Sequence, residues 1–569
     1  MLSVQPISAS DVPSTLADSP MIYALLLPPD HPLRWIRAHV DFSFARTLVT
    51  QHYCLDNGRP GIAPELLCRL SLLQFLYNLS DREVIEACAY RLDFKYFLGL
   101  AIEAPAPCDA STLSRVRTRW GETTFQAFFA ASVAQARAQG VLGTRRVVDS
   151  SKTLMNAAVL RASALLQRLC AKLLAALTTL ASPDDAAWAP LTTEATSLQE
   201  DTSWMLSDEL KERRYLRWGT YAHDLLAYAL ARLERGETGA DAPATLARVQ
   251  QYSRLLAKHL GDVALEAQLT ARAAAVAAAA APADAASADA IPSAAVPPVK
   301  LPEGRKDKLV SDVDPEARQA ADRKRKVKAG YKTHLAMDSD SEIVTALIVT
   351  PMNDDDGPHL LPLLAEERRR GLVVEEVAAD AAYADGPVRA ALAEAAITTY
   401  IPEPRAKSSA AGTYLSTDFR FDAAAGTLTC PAGHSVDRAT EKGEQYLFYF
   451  RRAVCAACPQ QTACLSKKEL AAGVKHGRTV SVSRYRPLHE AARAARGTPE
   501  HTAAMHRRLA IEHKQSEMLN QRGLRHARYR GLSKTKIQAY LTVFATNLRR
   551  LAVLCLQGEP TGTGRTVLA

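Results

Sequence analysis

The run RRVVDSSK, Arg145–Lys152, is β-prone and alone. Residues 60–140 before it, and about 153 to 270 after it, carry apolar residues at helical spacing. A single strand leaves a row of backbone N–H and C=O groups unpaired, so this one must find partners further along the chain. The next β-prone segments lie beyond residue 300, which forces a sheet closed across a helical insertion.

Those later segments read clearly. YKTHLAMD and EIVTALIVTP, separated by the turn-like SDS, predict a hairpin. DDDGPHLLPLLAEERRRG predicts a helix, EEVAAD a third apolar strand, GPVRAALAEA a helix and ITTYIPE a further strand. With Val147-Val148 the order is β-(helical insertion)-β-β-α-β-α-β. That predicts an α/β fold, a mixed five-stranded sheet with helices on both faces.

The rest of the chain divides by composition. Residues 1–140 predict a helical N-terminal domain suited to DNA binding, with caps at Ser80 and Asp109 and a basic edge of Arg115, Arg117 and Arg119. The first strand occupies 141–155 and the helical insertion 156–270. An Ala/Pro low-complexity linker fills 271–300, and the remaining strands fall in 301–404. A cysteine-rich insertion covers 405–485, helices with a strong basic bias cover 486–557, and 558–569 reads as a disordered tail.

A formal net charge of +9 and a pI near 9.0 favour a polyanionic partner, nucleic acid or membrane surface. The N-terminus lacks the basic start and apolar core of a signal peptide, and no uninterrupted apolar run long enough for a bilayer is evident. The reading is a cytoplasmic protein, nucleoid-associated when bound to DNA.

Three carboxylates carry the chemistry. Asp149 and Asp380 each close an apolar strand, and ligands of such sheets collect outside the carboxyl ends of strands. Two like charges placed there repel unless they share a cation. Thr498-Pro499-Glu500 starts a helix that runs to about Arg522, where Gly523 can end it. On that helix Met505, Leu509, Glu512 and Leu519 form one stripe, expected to face inward, which makes Glu512 costly to bury unless metal-bound or paired with Arg508. Three oxygen donors without histidine suit Mg²⁺ or Mn²⁺, and ion pairs roughly 3.5–4 Å apart serve in-line attack on phosphodiesters.

Cys430, Cys455, Cys458 and Cys464 have the spacing of a tetrahedral thiolate site for structural zinc, with His434 as a substitute ligand. Such a site would clip together an insertion with little core of its own. The other six cysteines, Cys54, Cys68, Cys88, Cys108, Cys170 and Cys555, sit singly in apolar surroundings and read as core residues.

Several segments together resemble the DDE transposases of bacterial insertion sequences, across most of residues 50–555. They are LSDREVIEACAYRLDFKYFLGL, DASTLSRVRTRW, VVDSSK, SDVDPEAR, AGYKTHLAMD, VAADAAYAD and RRLAIEHKQSEMLNQRGLRHARYRGLSKTKIQAYLTVFATNLRRL. The resemblance implies an RNase H-like catalytic domain, with Asp149, Asp380 and Glu512 as its acidic triad and two Mg²⁺ ions. It also implies cleavage at the element's terminal inverted repeats, strand transfer into target DNA, and a dimer or larger assembly on DNA. The family signature often has a tyrosine three residues before the arginine and a lysine seven after the glutamate; Met505 and Leu519 stand there instead.

Between His501 and Arg550 there are 11 Lys/Arg and 2 Asp/Glu, a local excess of 11 − 2 = +9. Lys332, Arg508, Lys514, Arg525, Arg528, Arg530, Lys534 and Lys536 are the expected phosphate contacts. The clusters RKDK at 305–308 and RKRKVK at 323–328 add to them. Two rivals stay open: a DNA-binding protein that has lost catalysis, and a stand-alone metal-dependent endonuclease.

Overall fold

A computed structural model of the chain describes residues 19–53, 61–180, 185–200, 208–235, 242–263, 307–321, 326–403, 413–437, 440–471, 473 and 475–558. The linker 271–300, the tail from 559, Cys54 and half of each of the clusters RKDK and RKRKVK lie outside the described residues.

The isolated strand β1, Arg145–Leu154, finds its partners where the sequence places them. It pairs antiparallel with β3 (Val327–Asp338) and parallel with β5 (Glu376–Ala379). β4 (Val344–Pro351) lies antiparallel beyond β3, and β6 (Thr398–Tyr400) parallel beyond β5, giving the path β4-β3-β1-β5-β6. A sixth strand that the sequence pattern did not reveal, β2 (Arg318–Ala321), makes a short hairpin with the start of β3. Its segment RQAA has neither alternation nor a β-branched residue, so only the pairing makes it a strand.

Alternation along β1 decides which helices cover which face. Val147 joins Leu335 and Met337 in one core with the N-terminal helices, while Val148 joins Ala336, Val377 and Leu363 in a second core on the opposite side. The first core is the larger. Its spine is the helix Leu532–Gly558, which packs against Ala110–Ala138, Pro64–Leu76, Pro32–His39 and β4. Phe544 on that helix meets Phe44 and Phe128. The segment Leu532–Gln557 is long and apolar enough to cross a membrane, although Lys534, Lys536, Arg549 and Arg550 interrupt it, and its most apolar stretch is 67% buried inside the protein.

The expected caps form. Ser80 makes a reciprocal capping box with Glu83, and Asp109 and Thr498 accept from Ser111 N and His501 N. A buried ion network then fixes β1. Arg146 is fully enclosed and donates to Asp338 (2.9 Å) and Glu367 (2.7 Å), tying β1 to the end of β3 and to the helix Leu360–Arg369. Losing one partner would strand a buried charge, which costs about 3–5 kcal/mol.

Two regions carry cores of their own. The insertion helices Ala162–Thr178, Trp188–Glu200, Asp208–Arg235 and Ala242–Asp262 enclose Leu169, Leu173, Trp218, Leu225 and Leu256. The cysteine-rich segment was expected to have little core. It holds two three-stranded antiparallel sheets around Phe419, Leu428, Phe448, Phe450 and Val482.

Candidate active site

β1 and β5 end their parallel ladder at Val148–Ala379, so Asp149 and Asp380 are the next residues on adjacent strands. Asp149 is not the last residue of its strand, because β1 continues against β3 as far as Leu154. Alternation puts Asp149 on the side of Val147 and Asp380 on the side of Ala378, and both belong to the large core. That is the face on which the helix Pro499–Ser516 lies.

The helix docks differently from the expected stripe. Its buried residues are Ala504, Ile511, Lys514 and Gln515, followed by Met518 in the adjoining π-helical turn Glu517–Gln521. Leu509 and Glu512 are exposed. Ala504, Ile511 and Met518 recur every seven residues, and an alanine in that series weakens the sequence signal of the inner face. Gly523 closes the segment at φ +75°, against Asn78 of the N-terminal helices, where a β-carbon would fall 2.1 Å from Asn78 Oδ1.

Glu512 therefore stands at the rim, and Arg508 joins it to the sheet. Arg508 Nη1 lies 3.2 Å from Asp149 Oδ2, and its Nη2 lies 2.6 Å from Glu512 Oε1. The neighbouring Arg507 pairs with Glu376 at the start of β5. Burial pushes the Asp149 carboxyl up to about 6; the Ser150 N–H and Arg508 oppose this, while the charges of Asp380 and Glu512 add to it. Asp380 accepts a 2.8 Å bond from Ala382 N and caps a short 3₁₀ turn.

Behind β1, on the opposite face, lies a polar cluster that the sequence did not announce. Ser150 Oγ and Lys332 Nζ both donate to Asp356 Oδ1, at 3.1 and 2.8 Å. His334 is buried at 3.6 Å from Asp356 and lies tilted against His359 with centroids 4.3 Å apart. Burial, then His359 and Lys332, push His334 down to about 2, so its imidazole is neutral. The repeated acids of DDDG were the one available signal, and they did not say which would turn inward.

The basic residues separate into two groups. Lys332 is buried against Asp356, and Lys514 is buried between Glu342 (3.3 Å) and Glu517 (3.2 Å). Both are thus engaged within the protein rather than presented to a ligand. Arg528 packs over Phe75 and donates to Asn78, and Lys536 pairs with Glu122. Arg525, Arg530 and Lys534 are exposed, with Arg525 bonded to Asn520 and Arg530 to the Asn156 carbonyl.

Cys430, His434, Cys455, Cys458 and Cys464 line one small cavity of about 30 Å³ in the cysteine lobe. Three of the sulfurs accept backbone N–H groups: Cys430 from His434, Cys455 from Arg478 and Cys458 from Gln460, each at 3.4 Å. Among the described residues no three His, Cys, Asp or Glu side chains stand close enough together to hold a metal ion as they are placed. At the carboxylates, the space between Asp149 and Glu512 holds a guanidinium; in the lobe, the thiols surround a cavity rather than meeting at a point. Of the other cysteines, Cys68, Cys88 and Cys170 are buried and Cys108 and Cys555 half-buried.

Two family models match the chain. Residues 22–119 match the family described as Transposase domain (DUF772), and residues 429–552 match the Transposase DDE domain. Together the two matches support a DDE transposase of the insertion-sequence type. The second match begins at the cysteine lobe and includes Glu512, while Asp149 and Asp380 lie outside it. A curated relative of the chain, "Uncharacterized protein ORF8 in nfe locus" of Rhizobium meliloti, is 34% identical over 84 residues, which is 15% of this chain and 41% of that protein. The chain thus spans less than half of that relative's length. No solved structure matches the chain.

Proposed function

We propose that this transposase binds the terminal inverted repeats of its own element, cleaves at the ends, and joins the freed 3′-hydroxyls to target DNA. The observation that supports this reading is the adjacency of Asp149 and Asp380 on paired strands, with Arg508 linking Asp149 to Glu512. The path β4-β3-β1-β5-β6, antiparallel on one side of β1 and parallel on the other, supports an RNase H-like sheet.

The donor set fits hard divalent cations: three carboxylates and no histidine. Two Mg²⁺ or Mn²⁺ ions bound there would polarise the scissile phosphate and acidify the attacking water or 3′-hydroxyl. The protein's own part is positioning. β1 and β5 hold Asp149 and Asp380 side by side, Ala382 N orients Asp380, and Arg507–Glu376 keeps the helix of Glu512 on the sheet. Arg525, Arg530 and Lys534 are the exposed cations left to contact phosphates, and binding then weakens with salt. Two ends held together call for a dimer or larger assembly.

The cysteine lobe fits a structural zinc. Four thiols around one cavity, three already receiving N–H groups that stabilise a thiolate, form a Cys₄ donor set, with His434 beside them. Purified protein should contain one zinc per chain by elemental analysis, and Cys455→Ser should lose it; a metal-free wild type retaining the lobe's fold would remove the zinc.

The function is tested with a duplex carrying an element end, in Mg²⁺, comparing wild type with Asp380→Asn. Cleavage and joining by the wild type alone supports the proposal. Binding without cleavage by both points to a DNA-binding protein that has lost catalysis. Cutting without joining points to a stand-alone nuclease.

A further inference from the structure

We infer that Arg508 is the exchangeable counter-cation of the three carboxylates: it bridges Asp149 and Glu512 in the metal-free protein, competes with divalent cations for them, and is released toward a phosphate when they bind. This rests on reading Asp149, Asp380 and Glu512 as ion ligands.

The geometry is that of a bridge rather than a simple helix-surface pair. Separate guanidinium nitrogens reach the two acids, at 3.2 Å on the sheet side and 2.6 Å on the helix side. The pair with Glu512 alone has i,i+4 spacing, and exposed pairs of that kind contribute only about 0.3–0.5 kcal/mol. The reach to Asp149 goes beyond what the helix itself requires.

Arg508 is not needed to dock the helix. Arg507 already ties it to Glu376 on β5, and Lys514, two turns later, ties it to Glu342. Ile511 and Ala504 are buried beneath it. Two adjacent arginines thus divide the work: Arg507 anchors, while Arg508 lies across the acids. Release also has a route. The Asp149 side chain is 15% exposed, but that of Glu512 is 49% exposed, so the bridge opens to solvent at its helix end.

A guanidinium and a divalent cation cannot both neutralise the same carboxylate oxygens at close range, because like charges repel. Binding of ions must therefore displace Arg508. The freed side chain has a planar fork suited to a phosphate, beside the site where the scissile phosphate would lie. The arginine then changes partner from carboxylate to DNA at the step that arms the site.

The test measures Mn²⁺ binding by full-length protein without DNA, by titration calorimetry and by the electron paramagnetic resonance of free Mn²⁺. Arg508→Gln should bind Mn²⁺ at least tenfold more tightly than wild type. Arg508→Lys, which keeps the charge but not the two-pronged reach, should fall between them. Arg507→Gln removes an equal charge one residue away and should leave the affinity near that of wild type. Melting in EDTA checks that each variant is folded. Equal or weaker Mn²⁺ binding by Arg508→Gln would overturn the inference, as would an equal gain in Arg507→Gln. If no binding is lost in Asp149→Asn, the reading of the carboxylates fails as well; if Asp149→Asn abolishes binding while Arg508→Gln is silent, only the exchange fails.

Discussion

The N-terminal helices and the insertion helices are both apolar and both lie beside β1 in sequence, yet they are used differently. The N-terminal helices have no core separate from the sheet: Leu33, Phe75 and Phe128 belong to the same buried cluster as Val147, Leu335 and Phe544. The insertion helices bury Leu169, Trp218 and Leu256 among themselves. Their described ion-pair ties to the rest of the chain go to the segment before β2, through Arg168 and Lys172 to Asp312 and through Lys258 to Asp307. Sequence adjacency therefore does not decide membership of the body built around the sheet; shared burial does. The N-terminal block is part of the scaffold that holds the carboxylates, and the insertion is an added unit.

The strongest way to break that contrast is Phe128→Ala. Phe128 is fully buried and touches Phe44, Trp120, Phe125 and Phe544, so its loss should cost about 4 kcal/mol. Denaturation followed by fluorescence should show the sheet and N-terminal helices shifting together; an unshifted sheet would separate the two. Leu169→Ala should cost about 3 kcal/mol, confined to the insertion. Hydrogen exchange should then rise in residues 162–262 while β1 and β5 stay protected.

A third effect belongs to the site alone. The folded-state pKa of Asp149 is raised above its ordinary value, so the native protein binds this proton more tightly than the unfolded chain. The stabilisation is complete below about pH 3.8 and is lost as pH rises to about 6, a change of roughly 2–3 kcal/mol. Asp149→Asn should match wild type near pH 4 and exceed it by that amount above pH 6, without Mg²⁺, in urea titrations at both pH values. Parallel curves would remove the assignment. The smallest effect is expected for Arg217→Ala, which breaks an exposed pair with Glu194 in the insertion and should cost at most about 1 kcal/mol. A larger loss in thermal melting would mean that the insertion is less self-contained than its core implies.

Much of the sheet was legible because its strands are apolar and bounded by turns. Asp149 and Asp380 stood out because each ends an apolar run, and Glu512 because an acid fell on a stripe expected to face inward. What was hidden depends on distant partners. Lys332 and Lys514 look like free cations in sequence, but their acids, Asp356 and Glu342, come from other elements. Arg146 reads as half of a basic pair, although it is one of the most enclosed side chains in the molecule. The inner face of the Glu512 helix was misplaced because alanine, isoleucine and methionine make it, while an exposed Leu509 imitates it.

The helix Leu532–Gly558 is the last described element of the chain, and it packs against helices that are made much earlier. During synthesis those earlier helices must wait with an open apolar seam until residues 532–558 have left the ribosome. A product cut short before Leu532 would be unable to close its own interior, a form of quality control written into chain order.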